Sequence, residues 1–192
     1  MKRSYVAVLG AIALAAGMAR ANITDTMDST ANFDSPFGGE TVTANGDGTV
    51  TILRNNAGVD AGINWQPGGQ NIPIAGNELL TITPVAAVSG GYWVPTILLF
   101  DSGGNFLGEK PWLGDTNTTA PQTLNIPDFA TSKGVSGAAQ YYLRLRMDPF
   151  NNAGSGFTFT EIDTTAIPEP ASVGLIGAGA LALLRRPRVR SV

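Results

Sequence analysis

The segment Gln140–Asp148, QYYLRLRMD, gives the clearest indication of the fold class of this 192-residue chain. Apolar and polar side chains alternate along it, and a two-residue period is typical of a β-strand with one buried face. The two faces are Tyr141, Leu143, Leu145 and Met147 on the apolar side, and Tyr142, Arg144, Arg146 and Asp148 on the other. The apolar face must pack against a second layer of the protein.

Similar runs recur between turn sequences throughout residues 22–165. They are GTVTILR, ELLTITP, YWVPTILLFD, QTLNIP and GFTFTEID. In the last run, a two-residue period places Glu161 and Asp163 on the face of Phe157 and Phe159, opposite Thr158, Thr160 and Ile162, so neither face is purely apolar. The chain also has 24 glycines and 12 prolines and is only 14% charged, which favours many turns. No segment outside the termini shows ten residues of helical period. We therefore predict an all-β fold, with eight to ten short antiparallel strands in a β-sandwich of jelly-roll type.

Composition excludes several classes of function. The chain contains neither cysteine nor histidine, so it has no disulfide, thiol nucleophile, Cys/His zinc site or imidazole-dependent serine triad. Residues 22–167 hold 5 basic and 14 acidic residues, a net charge of −9. Because phosphate binding requires a basic surface, nucleic acid is not an expected partner. We also expect no cofactor.

Residues 1–21 have the features of a signal peptide. Lys2 and Arg3 precede an apolar stretch, Tyr5–Met18, and Ala19-Arg20-Ala21 supplies the small residues that signal peptidase requires. We predict that signal peptidase cleaves after Ala21. The alternative is a buried N-terminal helix of a cytosolic protein.

The tail, residues 166–192, contains a second apolar segment with positive charge on its other side. Ala171–Leu184 is apolar or small, and the arginines that follow are Arg185, Arg186 and Arg188. A helix of this length rises about 21 Å, less than the roughly 30 Å of a hydrocarbon core. We predict a short transmembrane helix with a cytoplasmic arginine stop, so that the positive-inside rule places the chain from Asn22 to about Pro170 across the membrane. An ordinary C-terminal anchor is the alternative.

The order of these features resembles the PEP-CTERM sorting signal of Gram-negative bacteria. Pro168, Glu169 and Pro170 precede the apolar segment, and the arginine cluster ends it, interrupted only by Pro187. The resemblance implies that a membrane-embedded protease of the exosortase type processes the Pro-Glu-Pro motif. It also implies anchoring in the inner membrane before processing, a later location in the cell envelope, cell surface or extracellular matrix, and an association with exopolysaccharide and biofilm.

The middle of the chain has a looser resemblance. TILLFDSGGNFLGE and YYLRL resemble segments of galactose-binding-like and pre-peptidase-type sandwiches, which are jelly-roll domains. Carbohydrate binding in such sandwiches uses exposed aromatic rings with polar groups beside them. The candidate residues are Trp112, Trp93, Tyr92 and Asp115. The alternative for each aromatic residue is packing onto the core.

Two further functions, calcium binding and glycoside hydrolysis, have weaker support in the sequence. NGDGT, Asn45–Thr49, has the closely spaced oxygens of a calcium loop but not its final glutamate, so a hairpin turn explains it better. A structural calcium ion held by other acidic loops stays open. Glycoside hydrolysis needs two carboxylates about 5 to 10 Å apart across a cleft, and no pair here has a diagnostic context.

We therefore expect an exported, non-enzymatic β-sandwich, sorted and processed through its tail, with a structural or adhesive role at the cell envelope or exopolysaccharide matrix. The first alternative is a carbohydrate-binding module acting on exopolysaccharide. A glycoside hydrolase comes third.

Overall fold

A computed structural model describes residues 22–56, 61–114, 116–147 and 152–167 of the chain. The helices and strands within these ranges lie in one compact unit, Arg20–Ala166. The strands are β1 (Ile23–Asp25), β2 (Phe33–Phe37), β3 (Glu40–Ala44), β4 (Val50–Arg54), β5 (Ala61–Trp65), β6 (Ile72–Pro73), β7 (Leu79–Val88), β8 (Trp93–Phe100), β9 (Phe106–Pro111), β10 (Gln122–Asn125), β11 (Gln140–Met147) and β12 (Gly156–Thr165). The helices are a 3-10 turn, Pro67–Gly69, and α1, Ile126–Ser132.

The strands form two antiparallel sheets of six strands each. Sheet A has the order β10-β7-β12-β4-β3, with β1 beside β12; sheet B has the order β2-β5-β11-β8-β9, with β6 beside β11. The chain passes repeatedly between the sheets, for example from β4 to β5, from β7 to β8 and from β11 to β12. The predicted antiparallel sandwich of jelly-roll type is confirmed, although the described residues hold more strands than the eight to ten expected.

One hydrophobic core lies between the sheets. The predicted core face of β11 is confirmed, since its four apolar residues are fully buried. Strands of both sheets supply the residues packed around them, which include Ile52, Ile63, Leu80, Ile82, Ile97, Leu99 and Phe157. Burial of these large side chains is the main source of stability of such a domain.

Strand β12 changes face along its length. Phe157 and Phe159 are fully buried, but farther along Ile162 is buried and Glu161 is not. The register against β7 shifts between Phe159 and Glu161, as at a β-bulge, where one extra residue reverses the alternation that follows. The prediction that Glu161 and Asp163 share the face of the two phenylalanines is therefore wrong.

The turn Asn45–Thr49 joins β3 to β4 as a hairpin. The Asn45 backbone N–H donates to the Thr49 carbonyl over 2.9 Å, and the Thr49 hydroxyl donates to Asp47 Oδ1 over 2.6 Å. Gly46 and Gly48 have φ of +79° and +78°, a conformation that glycine adopts without steric cost. Hydrogen bonds within the turn thus account for NGDGT, as the hairpin interpretation predicts.

A second hairpin turn joins β8 to β9. Asp101 Oδ1 accepts hydrogen bonds from the backbone N–H groups of Gly103 and Asn105, and Oδ2 accepts from the Asn105 side chain. The Asn105 hydrogen bonds hold the pKa of Asp101 below its ordinary value, because they favour the ionised carboxylate. This turn fixes the register with which β9 meets β8.

The pattern of hydrophobic residues in the sequence does not predict helix α1. It has seven residues, its N-cap Asn125 accepts a hydrogen bond from the Asp128 N–H over 3.0 Å, and it buries Ile126 and Phe129. No helix within the described ranges is long and apolar enough to cross a membrane. The predicted membrane helix, Ala171–Leu184, lies outside those ranges.

Candidate functional site

The outward face of sheet B carries a group of charged and aromatic side chains. In the strand register, Asn64 of β5 and Thr96 of β8 lie on either side of Arg144 in β11. Directly paired residues of antiparallel strands project from the same face, and Arg144 alternates with core residues, so all three point away from the core. We call this surface the Arg144 face; its residues are Asn64, Thr96, Phe106, Glu109, Tyr142 and Arg144.

Arg144 is held in place by three neighbours. Its Nε donates to Asn64 Oδ1 over 2.9 Å, and its Nη1 donates to Glu109 Oε2 over 2.8 Å. The guanidinium carbon lies 5.1 Å from the centre of the Phe37 ring, within cation–π range. These contacts restrict the rotamers of Arg144, so that the group is already ordered before any ligand arrives.

The ion pair between Arg144 and Glu109 spans strand β8, which lies between β11 and β9. The Arg144 side chain is 20% exposed and the Glu109 side chain 32%, so both remain accessible. The outward residues of β8 are buried although they face away from the core, because neighbouring side chains cover them. They are Val94, Thr96, Leu98 and Phe100.

Aromatic rings continue the Arg144 face toward the edge of sheet B. The Tyr142 ring centre lies 5.3 Å from that of Phe100, and Phe100 lies 5.7 Å from Phe106 in an edge-to-face contact. Phe106 is 58% exposed. Burial raises the pKa of Tyr142, with Arg144 opposing the shift, so its phenol stays protonated near neutral pH and can donate a hydrogen bond.

Thr96 adds a buried hydroxyl beside Arg144. The residue is fully buried, and its Oγ1 has no hydrogen-bond partner among the described residues. Buried polar atoms are nearly always hydrogen-bonded, so this hydroxyl is an unusual feature.

Sequence reasoning missed the Arg144 face, although two signals for it were present. Arg144 and Arg146 alternate with core residues of β11, and TILLF in β8 is apolar without alternation. An apolar strand next to an amphipathic one indicates that long polar side chains cover its outward face. The contact with Glu109, 35 residues earlier in the chain, depends on strand order and leaves no local pattern.

The prediction that Trp93 presents an exposed ring is wrong. It is fully buried and its ring centre lies 5.9 Å from Phe157 and 5.3 Å from Phe159. Trp93 begins β8 and has the same parity as Ile97 and Leu99, which also belong to the core. Its ring packs between the two sheets and cannot stack on a ligand.

The other predicted aromatic residues lie near the start of β8. Tyr92 is 40% exposed. Trp112 is half-buried against the core, and its backbone N–H donates to the Pro95 carbonyl over 2.8 Å. Thr116 pairs with Trp93, which brings the segment after β9 alongside the same end of β8. Asp115 lies outside the described residues.

The predicted sorting residues also lie outside the described residues. They are Pro168, Glu169 and Pro170 of the motif and Arg185, Arg186 and Arg188 of the cytoplasmic stop.

One buried carboxylate, Asp25, has a structural role. It accepts hydrogen bonds from the Trp65 indole N–H over 2.8 Å, from the Asn32 side chain over 2.9 Å and from the Met27 backbone N–H over 3.1 Å. These donors occupy both carboxylate oxygens and tie β1 to β5. Across the described ranges, no three acidic side chains are grouped so that they could hold a metal ion.

Comparison with solved structures finds distant similarity. The enzymatically active domain of bacteriophage CBA120 tailspike protein 4 is 15% identical with a TM-score of 0.46, over 73% of this chain and 20% of that one. The CBM22-1 xylan-binding domain of Paenibacillus barcinonensis Xyn10C is 11% identical with a TM-score of 0.44, over 76% of this chain and 94% of that one. The C-terminal family 22 carbohydrate-binding module of Clostridium thermocellum Xyn10B is 13% identical with a TM-score of 0.41, over 75% and 93%. The chain thus spans about a fifth of the tailspike chain.

Comparison with protein families finds one match, in the tail. No curated protein matches the chain. Residues 166–189 match the model of the PEP-CTERM protein-sorting motif, which confirms the predicted resemblance. The match begins directly after Thr165, the last residue of β12. The chain therefore carries a PEP-CTERM sorting motif, which indicates export, exosortase-type processing and membrane-associated sorting in Gram-negative bacteria.

Proposed function

We propose that this protein is an exported, non-enzymatic β-sandwich that is processed through its tail and retained in the cell envelope, at the cell surface or in the extracellular matrix. Its role there is structural or adhesive. A signal peptide, residues 1–21, starts export, and the short apolar segment Ala171–Leu184 holds the chain in the inner membrane until an exosortase-type protease acts.

The sorting motif next to the last strand is the observation that carries this proposal. Strand β12 pairs with β7, β4 and β1, so it is fixed in sheet A up to Thr165. The motif begins at residue 166. The motif therefore directly follows the last strand of the sandwich in the sequence.

A triple substitution in the motif tests the processing step. The variant carries Pro168→Ala, Glu169→Gln and Pro170→Ala. We expect most of this variant to remain unprocessed in the membrane fraction. Proline fixes φ and lacks a backbone N–H, so a Pro-Glu-Pro sequence favours the extended backbone that a protease binds in its substrate. The measurement is the size of the protein in membrane and outer fractions on immunoblots.

Glu161→Gln is the matched control, because it changes the same residue type within β12. It should be processed like the wild type. Normal processing of the motif variant would contradict the proposal.

A carbohydrate-binding module is the second candidate function, and the Arg144 face is the observation that favours it. An exposed phenyl ring, a protonated phenol and an accessible Arg–Glu pair lie on one surface, which is the combination that sugar recognition uses.

The non-enzymatic part of the proposal is tested separately. Release of reducing ends from a polysaccharide by the purified protein would contradict it.

A further inference from the structure

We propose that the Arg144 face binds an uncharged pyranose chain, with Phe106 stacking on a sugar ring, Arg144 and Glu109 binding hydroxyls of the chain, and the buried Asn64 positioning Arg144. The inference rests on the carbohydrate-binding function proposed above and adds the site and the class of sugar. It differs from the site predicted from the sequence, which we call the loop site and which comprises Trp112, Trp93, Tyr92 and Asp115. Of these residues, Trp93 is buried in the core.

A pyranose has two kinds of surface, and the Arg144 face matches both. The axial C–H groups of a sugar pack on aromatic rings, and Phe106 offers a ring that is 58% exposed. Sugar hydroxyls both donate and accept hydrogen bonds, so they match a guanidinium and a carboxylate held together. Arg144 and Glu109 form such a pair, with a separation of 2.8 Å and with both side chains partly exposed.

The site is also ordered in advance. Asn64, Glu109 and Phe37 hold the Arg144 side chain from three directions. Little conformational entropy is lost when such a side chain binds a ligand, which favours measurable affinity from a small surface. The buried Thr96 hydroxyl beside Arg144 is an additional polar group on this face.

Charge selects an uncharged ligand over an acidic one. Residues 22–167 carry a net charge of −9, so the domain repels a polyanion at long range. The Arg144 charge is compensated by Glu109 at contact distance, which leaves it a hydrogen-bond donor more than an anion site. A uronic-acid polymer would meet this negative field, whereas a neutral glycan would not.

The experiment measures binding of the full chain, purified in detergent, to defined glycans by calorimetry. The neutral probes are hexasaccharides of glucose, mannose and galactose, and the acidic probe is hexagalacturonate. We expect one of the neutral probes to bind with a Kd that changes less than about twofold between 50 and 500 mM NaCl, because no net charge is neutralised. Phe106→Ala should raise that Kd by about tenfold or more.

Two further variants separate this site from the loop site. Arg144→Lys keeps the charge but loses the planar set of donors, and it should also weaken binding about tenfold. Tyr92→Ala is the matched aromatic control, since Tyr92 is 40% exposed and lies before β8, and its Kd should stay at the wild-type value. Circular dichroism checks that each variant is folded. Because Phe106 lies at the surface, Phe106→Ala still tests the site if Arg144→Lys does not fold.

Each outcome decides a separate point. Loss of neutral-glycan binding in Phe106→Ala and Arg144→Lys, with binding kept in Tyr92→Ala, supports the assignment. Loss in Tyr92→Ala with binding kept in Phe106→Ala overturns the site but leaves carbohydrate binding standing. Binding of hexagalacturonate alone overturns the class of sugar, and failure of every glycan to bind overturns the carbohydrate-binding function itself.

Discussion

Phe157→Ala is expected to lower the free energy of unfolding by about 3 to 5 kcal/mol. The side chain is fully buried between the sheets, and its ring centre lies 5.9 Å from Trp93 and 5.7 Å from Phe159. Truncation removes buried apolar area and two aromatic contacts, and it leaves a cavity that strands fixed on both sides cannot close. The measurement is urea denaturation of the purified protein, followed by tryptophan fluorescence.

Phe106→Ala makes the same chemical change at an exposed position and is the matched control. Phe106 is 58% exposed and touches Phe100 at the edge of sheet B. Its replacement should cost no more than about 1 kcal/mol. Equal losses in the two variants would contradict the placement of Phe157 at the centre of the core.

Gly156→Ala is expected to destabilise the sandwich by about 3 kcal/mol or more, at the upper end of the range for overpacking. A Cβ at Gly156 would overlap the carbonyl oxygen of Ile52 and lie 3.0 Å from the Cα of Leu53. Both atoms belong to the backbone of β4, so no side chain can move aside. In this variant either β12 moves away from β4 or the folded fraction of the protein falls. The same urea denaturation experiment measures the loss in the free energy of unfolding.

Gly114→Ala is the control for this second variant. Apart from its chain neighbours, no heavy atom of the described residues lies within 4 Å of a Cβ added at Gly114. Its replacement should change stability by less than about 0.5 kcal/mol. If Gly156→Ala were as stable as Gly114→Ala, the close approach of β12 to β4 would be wrong.

The strands that alternate were predictable from the sequence, and the exceptions have physical causes. The buried face of β11 can be read directly from QYYLRLRMD. The strand pairs with β5 and β8 without a register shift, so its side chains alternate regularly between the two faces. β12 contains a bulge that depends on its pairing with β7, which no local pattern reveals. β1 and β6 have only three and two residues, too few for a period to be recognised.

The candidate site was less predictable than the fold. A tryptophan beside glycines in GGYWVP is compatible with a loop or with the first residue of a strand, and only the register places Trp93 in the core. The Arg144 face joins residues from four strands of sheet B, so it arises from strand order. The sorting motif, in contrast, is contiguous in sequence and was predictable in full.

The first and last strands of the sandwich lie side by side. β1 pairs with the end of β12, with Ile23 opposite Thr164. The Ile23 backbone N–H also donates to the Thr164 hydroxyl over 3.1 Å. The start of β1 and the end of β12 therefore lie at the same end of the domain.

Measuring the intact mass of the exported wild-type protein tests export and tail processing together. Export and tail processing predict a mature species that begins near Asn22 and lacks Arg185 to Val192. A mature, exported species that still contains those arginines would contradict processing through the PEP-CTERM tail.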